Sequence, residues 1–255
     1  MFDVPMRTRT FDGVTVQVYG SVEEIVAAAA EMLFEQLKRK RNSILGLATG
    51  STFIPFYDFV ATHFRPRGLS FSEVVTFNLD EYYPMPAESP DSYHSFMKEH
   101  LFSRIDMSES STHIPDGSSA DPEVEARLYE ESIGLAGGID LQFLGLGRNG
   151  HIGFNEPGTS FGSRTHVTTL SCSTLAANAP LFSVPSSIPD RALTMGIGTI
   201  LDARAIILLA YGGVKAEAVA RSLKEDVSES VPASALRRHR NAILMIDDDA
   251  AAALF

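Results

Sequence analysis

Short, almost uninterrupted apolar runs alternate along this chain with helical patterns, and the loops that follow the runs carry Gly, Asp, Asn and His. The clearest runs are Asn42 to Ala48, Val74 to Leu79, Ile139 to Leu146, Ala205 to Ala210 and Ala242 to Ile246. A strand without polar alternation is buried on both faces. Such strands separated by helices predict an α/β fold with a mostly parallel, Rossmann-like sheet and helices on both sides. Val14 to Tyr19 alternates instead, as a half-buried strand does. Ser21 followed by Glu24 reads as a capping box, and Ile25, Val26, Ala29, Met32, Leu33 and Leu37 then recur at helical spacing. Phe56, Phe59 and Val60 mark a second helix, and Glu123 to Leu135 a further one, while Pro84, Pro86 and Pro90 make an irregular loop. With no repeat, low-complexity tract or linker, the expectation is a single domain over 1–255. Open α/β sheets bind ligands at the carboxyl ends of their strands, where this chain keeps its polar residues.

Acidic residues outnumber basic ones 32 to 21, a formal net charge of −11, which speaks against binding nucleic acid or an anionic membrane. A small anion remains compatible if donors converge locally. The one cysteine, Cys172, excludes an intrachain disulfide and fits a reducing compartment. Flanked by Ser171 and Ser173, it reads as a small half-buried residue rather than a nucleophile. Met1 to Gly20 lacks a basic segment followed by an apolar run, and no stretch approaches the roughly 20 apolar residues of a membrane span, so a cytoplasmic location is expected. The seven histidines form no metal-ligand pattern, and neither a Gly-x-Ser-x-Gly elbow nor a dinucleotide-binding glycine motif is present.

Four strand-end segments carry candidate chemistry. Thr49-Gly50-Ser51-Thr52 precedes a helix and could cradle a phosphate on free N–H groups, though a tight turn with an N-cap accounts for it about as well. Asp80-Glu81 pairs two carboxylates, as acid–base sites do; the plainer reading has Asp80 capping a turn and Glu81 solvated. Gly147 to Gly158 (GRNGHIGFNEPG) is the densest polar stretch after an apolar run. There His151 is a candidate acid or base, and Glu156 could orient its ring. Gly212-Gly213-Val214-Lys215 offers a lysine to an anion, against the common fate of a surface lysine.

Taken together, LGLATGST (Leu45 to Thr52), FNLDEYYPMPAESPDSYHSFM (Phe77 to Met97), IDLQFLGLGRNGHIGFNEPGTSFGSRTHV (Ile139 to Val167), ALTMGIGTILDARAIILLAYGGVKAEAV (Ala192 to Val219) and VPASALRRH (Val231 to His239) resemble the glucosamine-6-phosphate deaminase family, a relative of the 6-phosphogluconolactonases. The lactonase branch carries a Ser-Leu-Phe-Pro run after its Gly-His, where this chain has Ile152 to Pro157. The resemblance implies that Asp80 moves a proton between C2 and C1 of the sugar, and that His151 assists ring opening with Glu156 and Asn149 beside it. It further implies that Gly50, Ser51, Thr52 and Lys215 hold a phosphate, that neither a metal nor an organic cofactor is needed, and that about 161–187 is a mobile lid.

Three departures accompany it. Position 149 is Asn where many relatives have Asp. Pro180 stands where the family usually has an arginine that reaches the phosphate, leaving Arg191 or Arg204 as substitutes or a different substrate. His166 and Thr168 replace the basic residues of allosterically activated members, which implies no activation by N-acetylglucosamine 6-phosphate. The expected partner is a small sugar phosphate, with a homo-oligomer possible. The alternatives are an enzyme for galactosamine 6-phosphate or another phosphorylated amino sugar, a phosphogluconolactonase, and a non-catalytic sugar-phosphate-binding protein.

Overall fold

The computed structural model describes residues 5–254, so the first four residues and the last one of the expected 1–255 domain lie outside the described residues. The chain opens with a hairpin of β1 (Arg7–Phe11) and β2 (Val14–Tyr19), joined at Asp12-Gly13, where both φ angles are positive as a two-residue hairpin turn requires. The exposed Arg-Thr-Arg-Thr of β1 shows no apolar alternation, so only its turn signals it. In α1 (Val22–Arg39) the Ser21 hydroxyl accepts the Glu24 N–H at 3.3 Å. The Glu24 carboxylate reaches back to the N–H of Gly20 at 2.8 Å, one residue before the cap. The box thus closes on a neighbouring donor.

The order continues β3 (Ile44–Leu47), α2 (Ile54–His63), β4 (Val75–Asn78), β5 (Asp80–Tyr83), α3 (Tyr93–His100), β6 (Thr112–His113), α4 (Pro122–Ala136) and β7 (Leu141–Gly145). Then come β8 (His166–Thr169), α5 (Cys172–Asn178), β9 (Arg191–Thr194), α6 (Ile197–Leu201), β10 (Ile206–Ala210), α7 (Ala216–Lys224), β11 (Ala242–Asp247) and α8 (Asp248–Ala251). The main sheet runs β1-β2-β11-β10-β7-β3-β4-β6 and is parallel except for the β1–β2 pair. Every residue of β3 and β10 is buried, as strands covered on both faces must be.

Strand order reverses between β3 and β7. From β3 the chain moves outward to β4 and β6; from β7 it moves the other way to β10 and β11. A crevice opens at the carboxyl ends of strands wherever such a reversal occurs. Here it lies between the loop after Leu47 and the loop after Gly145.

A second, three-stranded antiparallel sheet, β5-β9-β8, was not legible in the sequence. The chain changes sheets at Leu79. Its N–H still bonds Leu47 O of the main sheet at 2.9 Å, while its carbonyl takes the N–H of Met195 at 2.7 Å beside the small one. Asp80 therefore opens a strand, paired with Thr194, instead of capping a turn. The small sheet has its own core, in which Tyr82, Met85, Phe154, Leu170, Phe182 and Ala192 are buried together.

The segment expected as a lid contains β8 and α5 and is fastened at its start to α6. Ser163 O accepts the N–H of Gly198, and Ser163 Oγ that of Ile197, each at 2.9 Å. Gly196 permits this approach, because a Cβ there would lie 2.2 Å from Ser163 O and 2.4 Å from Arg164 O, both backbone atoms. Gly196→Ala is expected to cost on the order of 3 kcal/mol and to lower Tm by roughly 6–12 °C in a thermal melt. An unchanged Tm would show that this seat does not hold the segment.

Candidate active site

The crevice at the reversal is a cleft of about 610 Å³. Gly50, Ser51, Thr52, Asp80, Asn149, His151 and Lys215 line it; Glu156 does not, but stands behind His151. These residues come from the ends of four adjacent strands, β10, β7, β3 and β4. Cross-links hold the loops together. Tyr211 OH donates to Thr52 O at 2.8 Å, and Lys215 Nζ donates to Leu146 O at 2.5 Å. The N–H groups of Gly50, Ser51 and Thr52 have no protein acceptor among the described residues. They stand one turn before α2, where free donors and the helix dipole suit an anion.

Asp80 and Glu81 are neighbours with opposite fates. Side chains alternate across a strand. Glu81 is fully buried and accepts the N–H groups of Tyr82 (2.9 Å), Tyr93 (3.0 Å) and His94 (3.2 Å), with His94 Nδ1 at 3.1 Å. It thus closes the first turn of α3 and is not solvated. The carboxylate of Asp80, a residue 6% exposed, receives no hydrogen bond from any described residue. Burial, and then the nearby Glu81 carboxylate, push its pKa from 3.8 up to about 8.

His151 leaves a tight turn. Gly147 N–H bonds His151 O at 2.9 Å, and the imidazole packs so closely over Gly147 that a Cβ there would lie 2.3 Å from the ring. Glu156 accepts Asn149 Nδ2 (2.7 Å), Thr174 Oγ1 (2.5 Å) and Ser171 N (3.1 Å). Its Oε2 is 3.8 Å from His151 Nδ1, an ion-pair distance longer than a hydrogen bond. Burial pushes Glu156 upward, but the imidazole and the Thr174 and Asn149 donors outweigh it and hold the carboxyl down at about 2. In this arrangement Asn149 and α5 orient Glu156 at least as much as Glu156 orients His151.

Arg191 and Arg204, the substitutes offered for Pro180, do not line the cleft. The Arg191 guanidinium lies 4.9 Å from the Tyr83 ring centroid, and Arg204 bonds the carbonyls of Gly137 and Gly138. Cys172 is exposed, at the first position of α5, rather than half-buried. Sequence reading also missed Thr174, Tyr93 and Asn178, which line the cleft. Asn178 Nδ2 donates to Tyr82 OH at 3.0 Å, a second tie between α5 and the small sheet. For Thr174 the Ser171-x-x-Thr174 cap spacing was the available signal. Among the described residues no group of three or more His, Cys, Asp or Glu side chains could hold a metal ion, and no helix is long and apolar enough to cross a membrane.

A parallel sheet with a polar cleft at its reversal point, fixed N–H donors at one end and acid–base groups at the other defines an α/β enzyme of small anionic metabolites. A sequence model of the family described as glucosamine-6-phosphate isomerases/6-phosphogluconolactonase matches residues 20–245, and the chain belongs to that family. It is 49% identical to a glucosamine-6-phosphate deaminase of Geobacillus sp. (strain WCH70) over 89% of this chain and 91% of the relative. The deaminase of Clostridioides difficile (strain 630) is 47% identical over the same shares, 89% and 91%. The solved structure of a monomeric glucosamine-6-phosphate deaminase superposes with a TM-score of 0.91 at 45% identity, covering 93% of this chain and 99% of that one. A 6-phosphogluconolactonase from Trypanosoma brucei shares the fold, with a TM-score of 0.73 at 22% identity.

The raised Asp80 pKa has a consequence for stability. The folded carboxyl keeps its proton up to about pH 8, whereas the unfolded one releases it near 3.8. The folded state therefore loses stability as pH rises through that window. Asp80→Asn is expected to raise Tm at pH 8 by roughly 5 °C and to leave it unchanged below pH 4. A lower Tm at pH 8 would show that the carboxylate is accommodated without cost.

Proposed function

We propose that this chain opens the ring of glucosamine 6-phosphate and converts it to fructose 6-phosphate with release of ammonia. The observation that carries the reading is Asp80: a carboxyl buried in the cleft wall, unpartnered, and raised toward neutral pH. A base of this kind is matched to taking a proton from carbon. The phosphate sits on the Gly50, Ser51 and Thr52 donors and Lys215, which fixes the sugar's reacting end. His151, with Asn149 and Glu156 behind it, moves a proton at the ring oxygen as the chain form opens. Asp80 takes the proton from C2 and returns it to C1. This leaves a C2 imine, which water hydrolyses to the ketone and ammonia. The names of the close relatives support the same reaction.

The segment 161–187 is read as the lid over this site. Its α5 touches Glu156 and Tyr82, so its movement would reach the acid–base groups directly. A cytoplasmic location goes with a single unpaired cysteine and a metabolite substrate. Sedimentation velocity decides between a homo-oligomer and a monomer such as the solved relative.

Incubation with glucosamine 6-phosphate should yield ammonia and fructose 6-phosphate in equal amounts, with Asp80→Asn reducing the rate at least about a hundredfold. A lactonase would survive that substitution, and a binding protein would form neither product. Asp80 acts as a base only when ionised, so kcat/KM should rise with pH and level off above about 8. Glu81→Gln removes one cause of the raised pKa and should move that rise to lower pH. A pH profile identical in the two proteins would exclude Asp80 as the titrating group.

A further inference from the structure

We propose that Arg148 is a second cation of the phosphate end of the cleft and gives the site its preference for a doubly charged anion. The inference rests on reading that end as the phosphate site. Arg148 is exposed, lines the cleft, and makes no ion pair or hydrogen bond among the described residues. Arg7, Arg67, Arg104, Arg164, Arg204, Arg221 and Arg237 find carboxylates, whereas Arg148 lines the cleft without one.

The charge of Arg148 is felt by Lys215. Lys215 is disfavoured in its protonated form first by burial and then by Arg148. Both cations line one cleft and neither forms an ion pair with a described carboxylate, so their mutual repulsion is relieved when an anion binds. The same cleft is lined by Gly50, Ser51 and Thr52, whose N–H groups have no protein acceptor among the described residues, and the Tyr211–Thr52 bond ties their loop to the one before Lys215. Fixed amide donors, a tethered ammonium and a free guanidinium fork form a set suited to phosphate, which the fork can grip with two parallel bonds.

Among the described arginines and lysines, Arg148 and Lys215 alone line the cleft. From α5 and the residues after it, Ser173, Thr174, Ala177, Asn178, Leu181 and Phe182 line the cleft, and all are uncharged. Pro180 has no donor, Arg191 lies over Tyr83, and Arg204 is engaged at Gly137 and Gly138. Arg148 is also well placed mechanically. Its turn is closed by Gly150 N–H to Gly147 O at 3.0 Å and by Gly147 N–H to His151 O at 2.9 Å. One rigid turn therefore carries both the guanidinium and the imidazole, which couples the position of the phosphate to that of the ring oxygen.

The test is titration of the free protein with inorganic phosphate by calorimetry, beside steady-state kinetics. Arg148→Gln is expected to weaken phosphate binding roughly tenfold or more, with Arg148→Lys in between and Arg191→Gln equal to the parent. The KM for glucosamine 6-phosphate should rise by a similar factor while kcat stays within roughly twofold. A matching Tm separates this from misfolding. Phosphate affinity unchanged in Arg148→Gln, or no phosphate binding by the parent protein, overturns the proposal. Arg148-dependent phosphate binding without ammonia release would leave the anion site standing and the deaminase reading fallen.

Discussion

The buried carboxylate of Asp140 fastens the place where the sheet reverses. Its Oδ2 accepts the N–H of Ile44 at 2.8 Å and Lys40 Nζ at 2.6 Å, its Oδ1 pairs with Arg204 at 3.2 Å, and its own N–H bonds Ile44 O at 2.8 Å. Asp140 directly precedes β7, Ile44 begins β3, and Arg204 stands two residues before β10. One side chain thus sets the relative height of three central strands at their amino ends. The loops at their far ends inherit that alignment, and those loops hold every candidate residue except Asp80. Removal of such a group would leave the buried N–H of Ile44 unanswered and Lys40 without its carboxylate, which is why a buried charge with several partners is hard to replace singly.

Much of this was legible in the residues because burial writes itself as unbroken apolar sequence. Strands β3, β4, β7, β10 and β11 read clearly for that reason, and α1 announces itself through Ser21 and Glu24. The site loops were found because Gly, Asn and His directly after an apolar run stand out. What escaped was the small sheet. Its strands are four residues each, β8 and β9 begin on charged or titratable residues, and their partners are distant in sequence. Long-range pairing of short mixed strands leaves no local period to read. The positions of Arg148, Arg191 and Arg204 relative to the cleft were hidden for the same reason, since only the tertiary path of each strand end decides which arginine faces the ligand.

The small sheet is also what makes two adjacent carboxyl groups do different things. Had Asp80 and Glu81 lain in a loop, as the sequence suggested, water would have reached both. In an extended strand they point apart, one into the cleft wall and one to the start of α3. Glu81 is satisfied by backbone donors, and Asp80 is left to bear the cost of burial that raises its pKa. Conformation, more than composition, sets the two carboxyl groups apart.

The exposed thiol of Cys172 stands between two residues that touch Glu156. Ser171 donates its N–H to that carboxylate at 3.1 Å and Thr174 its hydroxyl at 2.5 Å, while the sulfur faces outward. The chain has no other cysteine. A single fluorophore or spin label coupled to the unaltered protein would therefore sit on the outer surface of α5, one residue from the acid–base network. Any displacement of that helix during turnover becomes observable as a signal from one known point, with no engineered site required.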